Sequence, residues 1–279
     1  MGLIAVILFW LGLCVGSFVG ALVWRLHEQA KPSKSHQKTN LSILNGRSVC
    51  ENCRHALAWY DLVPLLSWLA LKGKCRYCQK SISAQHPLLE LLAGLVFAGS
   101  YLLWPQTVHA NGQWLLLGTW LAASVGLLAL ALYDLRWMLL PNRIIYPTLL
   151  AAVAGRAGYI IFFETRPARA LALWAASLLV ASGVFYLLFM VSNGQWIGFG
   201  DVRLGLITGT LLAKPQYSLL MIFLASLLGS LIAVPDLIRG KKSLASRLPY
   251  GPFLIASTWL VVLFGASLLN RYQAFMGLK

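Results

Sequence analysis

Apolar residues run almost unbroken from Leu3 to Trp24, and Arg25 is the first charged residue of the chain. Similar runs recur at Leu88–Trp104, Trp114–Tyr133, Ile144–Phe163, Ala170–Val191, Val202–Leu212, Leu219–Leu237 and Pro252–Leu269. Most approach the roughly 20 residues that an α-helix needs to cross a bilayer core. They are apolar all round rather than along one stripe, as expected of helices surrounded by lipid or by other apolar helices. The pattern predicts an all-α polytopic membrane protein of about eight transmembrane helices. The Val202–Leu212 run is short and rich in Gly and Thr, which suits a tilted or partly inserted helix. No repeat of 20–50 residues interrupts this series.

Composition agrees with that reading. The chain of 279 residues is 59% hydrophobic and 11% charged, with a mean hydropathy of +0.72. A net charge of +15 suits a nucleic-acid binder, but its distribution follows the positive-inside bias of membrane loops. Between Arg25 and His86 lie Lys31, Lys34, Lys38, Arg47, Arg54, Lys72, Lys74, Arg76 and Lys80, against Glu28, Glu51 and Asp61. That places the segment in the cytoplasm and both termini outside. Alternating sides then puts Asp134–Arg143, Asn193–Asp201 and Arg239–Arg247 in or beside the cytoplasm. Neither a charged leader before the first run nor a small-residue cleavage site after it marks a removable signal. The histidines, His27, His36, His55, His86 and His109, show no helical pairing, and His86 falls at the expected membrane boundary. Cys14 reads as a small packing residue of the first span.

Two knuckles interrupt the basic segment. "CENC" (Cys50–Cys53) and "CRYC" (Cys75–Cys78) stand 21 residues apart. Four thiolates so spaced can close a tetrahedron around one zinc ion, leaving no position open for a reacting water. A structural site is therefore expected, with Arg54, Lys74 and Arg76 favouring the thiolates. A cytosolic loop disfavours disulfides, and an insert of about 60 residues gains from a metal the stability that its small core lacks. Trp59, Tyr60, Trp68 and Tyr77 read largely as core residues of this insert rather than as stacking surfaces for nucleic acid.

Only 8 residues are acidic, and two of them close or open apolar runs at the cytoplasmic edge. Asp134 ends "LALALYD", and Asp201 opens the helix after "GFG". Ionisable groups at such positions are costly and mark function by default. Two carboxyls brought together can share one proton, so that one activates a water while the other donates to a carbonyl oxygen. Gly198 and Gly200 then allow close backbone approach and unusual dihedrals, and Pro141 shapes the path beside the other acid. The structural alternatives are an Asp201 helix cap and an Asp134 pairing with Arg136 or Arg143.

Taken in order, these motifs resemble the type IV prepilin peptidases, bifunctional leader peptidases and N-methyltransferases of the Gly-x-Gly-Asp aspartic protease family. The resemblance rests on "GSFVGALVWRL" (Gly16–Leu26), the double knuckle, "WYDLVPLLSWLALKGKCRYC" (Trp59–Cys78), "HPLLELLAG" (His86–Gly94), "YDLRWMLLPN" (Tyr133–Asn142), "GFGD" (Gly198–Asp201) and "RLPYGPFL" (Arg247–Leu254). It covers nearly the whole chain. It implies Asp134 and Asp201 as catalytic acids, and Cys50, Cys53, Cys75 and Cys78 as zinc ligands. It further implies S-adenosylmethionine as methyl donor, with Gly73, Lys74 and Glu90 at the donor site. The organisation implied is a first helix over residues 1–25, a cytosolic zinc domain with the methyltransferase part over 26–87, and a membrane-embedded peptidase over 88–279. The expected setting is the bacterial inner membrane, the catalytic site facing the cytoplasm. The expected partners are prepilin or pseudopilin precursors and the lipid bilayer, without nucleic acid. Cleavage would follow a glycine and precede methylation of the new N-terminus. The chain departs from the family at Gly20, where an Asn is usual, at Asn142 in place of an acid, and at Arg203 in place of Lys. Competing readings are a peptidase without methyl transfer, a proton-coupled transporter using the same two acids, and a tethered zinc module that binds nucleic acid.

Overall fold

In the computed structural model, the described residues are 2–30, 48–106, 108, 111–240 and 248–277. The basic positions Lys31, Lys34, Lys38 and Arg47, with His36 and His109, lie outside them, as does all of Arg239–Arg247 after Gly240. The helices are α1 (Gly2–Ala30), α2 (Leu66–Ala70), α3 (Gln85–Leu102), α4 (Gln113–Trp137), α5 (Asn142–Phe163), α6 (Pro167–Val191), α7 (Phe199–Leu212), α8 (Pro215–Ile238) and α9 (Gly251–Phe275). Among the described residues the only β pairing is two isolated bridges, Val49 with Ala56 and Lys74 with Ser81. The all-α expectation is therefore met, with the insert between the first two long helices. Proline sets several starts: it stands in the first two positions of α6, α8 and α9, where its missing N–H has no intrahelical partner to lose.

Six helices, α1, α4, α5, α6, α8 and α9, are long and apolar enough to cross a membrane. Among the described residues the count of eight is not reached, because two expected spans fall short. α7 has 14 residues, about 21 Å of helix against a hydrocarbon core of about 30 Å. α3 has 18 residues and begins on the polar sequence Gln85-His86-Pro87.

The chain divides into two compact units, Met1–Leu102 and Leu103–Lys279. The structure groups α3 with α1, whereas the organisation expected from sequence begins the peptidase part at residue 88. In the first unit, α1 and α3 meet backbone to backbone. A Cβ on Gly12 would lie 2.5 Å from the Ala93 carbonyl oxygen, and one on Gly16 would lie 2.6 Å from the Glu90 Cα. Small residues are the usual means of such approach where lipid removes the hydrophobic drive between helices. In the second unit the same device seats α7 on α6. Gly205 sits against the Ala181 carbonyl, where a Cβ would come within 2.6 Å. Ser182 donates to the Val202 carbonyl at 2.9 Å, and Ser177 donates to the Gly209 carbonyl at 2.8 Å. The short helix is thus held by close packing and by buried hydroxyl bonds.

Candidate functional site

The knuckles of the first unit are built alike. Cys50 N–H donates to the His55 carbonyl and Arg54 N–H to the Cys50 carbonyl, both at 3.0 Å. Twenty-five positions on, Cys75 N–H donates to the Lys80 carbonyl and Gln79 N–H to the Cys75 carbonyl, both at 2.9 Å. Arg54 and Gln79 both take left-handed backbone, φ 59° and 56°. This local correspondence escaped the sequence because neither left-handed position is a glycine. The four Sγ atoms lie within 4.8 Å of one another, and Cys50 Sγ and Cys78 Sγ are 3.9 Å apart. A tetrahedron with metal–sulfur bonds of about 2.3 Å has edges of about 3.8 Å. The cluster therefore fits a four-coordinate metal ion.

Two of the three basic neighbours expected to favour these thiolates are engaged by acids instead. Arg54 pairs with Glu28 at 3.3 Å and covers the Trp24 ring, while Arg76 donates to Asp61 at 2.8 Å. Burial raises the Cys75 thiol, but backbone N–H groups of Cys78 and Tyr77, with the Cys50 and Cys78 thiols, together bring it down to about 7, while burial pushes Cys50 up to about 11. Asp61 emerges as an organising residue that no local motif singled out. Its carboxylate is 4% exposed and also accepts from Tyr77 Oη at 3.1 Å and Ala58 N–H at 3.3 Å. Desolvation opposes its charge, yet these donors hold it below the usual carboxylate range. Trp59 is 79% exposed and Tyr60 45%, which corrects their reading as core residues.

The three residues assigned to the methyl donor separate. Glu90 is buried, lines a cavity of about 190 Å³ within this unit, and accepts from Leu65 N–H at 2.7 Å. Leu65, at φ 60° and ψ −49°, is the centre of a tight turn of a rare, strained kind; the carboxylate ties that turn to α3. Gly73 and Lys74 do not line the cavity. Gly73 has φ +71° and packs on the Trp68 indole, where a Cβ would come within 2.9 Å. Lys74 is exposed and bridges Ser81.

In the second unit, α4 ends on Met138 in left-handed conformation, its N–H donating to the Asp134 carbonyl at 2.8 Å. The turn that follows brings Leu140 against Gly200, where a Cβ would lie 3.0 Å from the leucine. Asn142 at the start of α5 accepts a short hydrogen bond from Arg203 of α7. Two of the positions where the chain departs from the family pattern therefore contact each other. Asp134 is 5% exposed, and Oδ2 accepts the Gly251 N–H of α9 at 3.1 Å. Asp201, in the first turn of α7, lies close enough to Asp134 for the charge of one to act on the other. The structure thus brings the two acids into one site, with Tyr250 also within electrostatic reach of Asp201.

The ion-pair alternative does not hold among the described residues, where Asp134 forms no ion pair. Asp201 stays within reach of the backbone N–H of Gly198, the N-cap of α7, so a capping role accompanies its place beside Asp134. The glycines act through close approach at Gly200, not through unusual dihedrals. Gly198 has φ −76°, and the positive-φ glycine of this stretch is Gly194. The amide of Gly251 was missed as a partner; the "PYGP" sequence marks only a helix start.

Residues 10–104 match the model of the bacterial peptidase A24 N-terminal domain, and residues 121–234 match that of the type IV leader peptidase family. Curated relatives include the prepilin leader peptidase/N-methyltransferase of Stutzerimonas stutzeri, 31% identical over 95% of this chain and 92% of the relative. The protein of the same name from Pseudomonas aeruginosa is 30% identical over 96% of this chain and 93% of its own. That of Aeromonas salmonicida is 27% identical over 95% and 92%. No solved structure matches the chain. Near-complete coverage at this identity, together with an acid pair in one unit and a tetracysteine cluster in the other, shows that the chain belongs to the type IV leader peptidase family.

Proposed function

We propose that this protein cleaves the leader from type IV prepilin-like precursors and then methylates the new N-terminus, with Asp134 and Asp201 as the catalytic acids. The observation that carries this reading is the placement of two carboxyls at helix ends within electrostatic reach of each other, Asp134 being held by the Gly251 amide. The ionised acid takes a proton from a water, which attacks the scissile carbonyl. The protonated acid donates to the carbonyl oxygen, and the roles reverse as the amine departs. Asp134 stands three residues before the end of α4, and Asp201 is the third residue of α7. A proton relay across the bilayer would favour acids nearer mid-helix, so these positions support the peptidase over the transporter. They also support a scissile bond just outside the apolar helix of the precursor, after a glycine by family resemblance.

Zinc is the ion we assign to Cys50, Cys53, Cys75 and Cys78, whose sulfur spacing suits it; its part is to staple the insert. S-adenosylmethionine supplies an electrophilic methyl group when bound. Among its proposed holders, Glu90 is supported by its place in the cavity, whereas Gly73 and Lys74 shape the neighbouring turn. The cavity, at about 190 Å³, falls below the about 300 Å³ that encloses whole ligands of this size, so it would cover one end of the donor. We place the protein in the bacterial inner membrane with its N-terminus outside and the acids facing the cytoplasm. Within it, 26–87 serves methyl transfer and 88–279 cleavage. The six apolar helices and the basic insert support this setting. The test is incubation of the purified full chain with a pilin-like precursor and S-adenosylmethionine, read by mass spectrometry of the product N-terminus. A product shortened at the leader glycine and heavier by one methyl is expected. An intact precursor would overturn the reading, and a cleaved but unmethylated product would leave the peptidase alone.

A further inference from the structure

At the end of the second unit opposite the two acids lies a cavity of about 450 Å³, lined from α4, α5, α6, α7, α8 and α9. It reaches Gln113 at the start of α4 and Lys214 just before α8, whereas Asp134 and Asp201 stand at the other ends of α4 and α7. Among the described residues, three charged ones line it: Arg156, Glu164 and Lys214. Arg156 belongs to α5, a span by length and hydropathy, and stands seven residues before its end at Phe163. That is about 10 Å inside the helix terminus. A guanidinium at such depth needs a counter-charge or a polar path. Among the described residues its side chain makes only a ring contact, with Tyr159 at 5.9 Å, and the Lys214 side chain likewise only one, with Tyr217 at 5.4 Å. Glu164 is within electrostatic reach of Arg156 but forms no ion pair with it among the described residues.

The geometry points to a binding site for the phosphodiester of an anionic phospholipid. Two cations against one carboxylate leave a local charge of +1, which matches one phosphodiester monoanion. Lys214 is the N-cap residue of α8, and Gln113 the first residue of α4. These two helix starts stand beside the ends of α5 and α7, whose flanking residues Glu164 and Ala213 also line the cavity, so the opposed dipoles offset one another and the two side-chain cations carry the preference for an anion. Apolar residues Leu116, Leu173 and Val262 continue the lining. They suit an acyl chain and do not suit a free phosphate, which commits the site to a lipid. This site is independent of the proposed acid–base chemistry.

The test is native mass spectrometry of the full chain released from micelles that contain phosphatidylglycerol, phosphatidylcholine of matched chains, or inorganic phosphate with neutral detergent. The wild type is expected to retain phosphatidylglycerol under conditions that remove phosphatidylcholine. Arg156→Gln with Lys214→Gln should lower that retention about tenfold, the loss expected for a charge-assisted contact. Arg156→Lys should restore much of it, and cleavage of precursor serves as the control for folding. Equal retention of the two lipids by the wild type would overturn the proposal without recourse to any variant. Binding of inorganic phosphate in place of the lipid, or unchanged retention in a folded double variant, would overturn it as well.

Discussion

The hydrogen bond from Gly251 to Asp134 offers a sharp perturbation at the proposed catalytic pair. In Gly251→Ala the added Cβ would meet Asp134 Oδ2 at 2.7 Å and Cγ at 3.4 Å. Ordinary contacts are several tenths of an ångström longer, so the carboxylate must move away from an amide it now meets at 3.1 Å. A hydrogen bond to a charged group contributes about 1.5–3 kcal/mol, and about 1.4 kcal/mol is a tenfold change in rate. Cleavage by Gly251→Ala should therefore fall about ten- to a hundredfold. Gly251 is the first residue of α9, so helix propensity changes little there and a thermal melt distinguishes a moved carboxylate from loss of the overall fold. The assay is the initial rate of precursor cleavage by the full chain in micelles, with a thermal melt alongside. A rate within twofold of wild type, or a raised melting temperature with full activity, would refute the claim that this amide positions Asp134.

Other consequences follow from the same contacts. Cys75→Ser should release the metal, read as loss of one zinc per chain by elemental analysis, with faster amide exchange across 48–82. Asp61→Asn should speed exchange over 58–77, since Arg76 and Tyr77 lose their anchor. Because the folded carboxyl is held below its ordinary 3.8, the wild-type advantage is present above that value and disappears as pH falls through the lowered one. Glu90→Gln should reduce methylation more than cleavage, measured as the ratio of methylated to unmethylated product. Gly205→Val should destabilise the seating of α7 on α6 by about 1–3 kcal/mol, the usual cost of overpacking, seen as a lower melting temperature.

The order of helices and the tetracysteine cluster were legible in the sequence because apolar length and Cys-x-x-Cys spacing act locally. Asp134 and Asp201 were legible as isolated acids in an apolar chain, but nothing local stated that they meet. That follows from Leu140 on Gly200 and from the Asn142–Arg203 bond, contacts made across separate helices. The status of α3 and α7 was less legible, since apolar runs of 17 and 11 residues suit a short packed helix as well as a span. Left-handed Arg54, Gln79 and Met138 were hidden because such backbone usually selects glycine or asparagine. The exposure of Trp59 ran against its apolar character, which composition alone cannot reverse. Glu90 took on a clear structural duty at the Leu65 turn only once the turn itself was visible.

The central claim is that Asp134 and Asp201 act as one catalytic pair. Its most direct test is cleavage of a pilin-like precursor by the wild type, Asp134→Asn and Asp201→Asn, each checked for folding and followed by mass spectrometry of the product N-terminus. The account predicts cleavage by the wild type and none by either variant. Cleavage at a comparable rate by a folded Asn variant would contradict it.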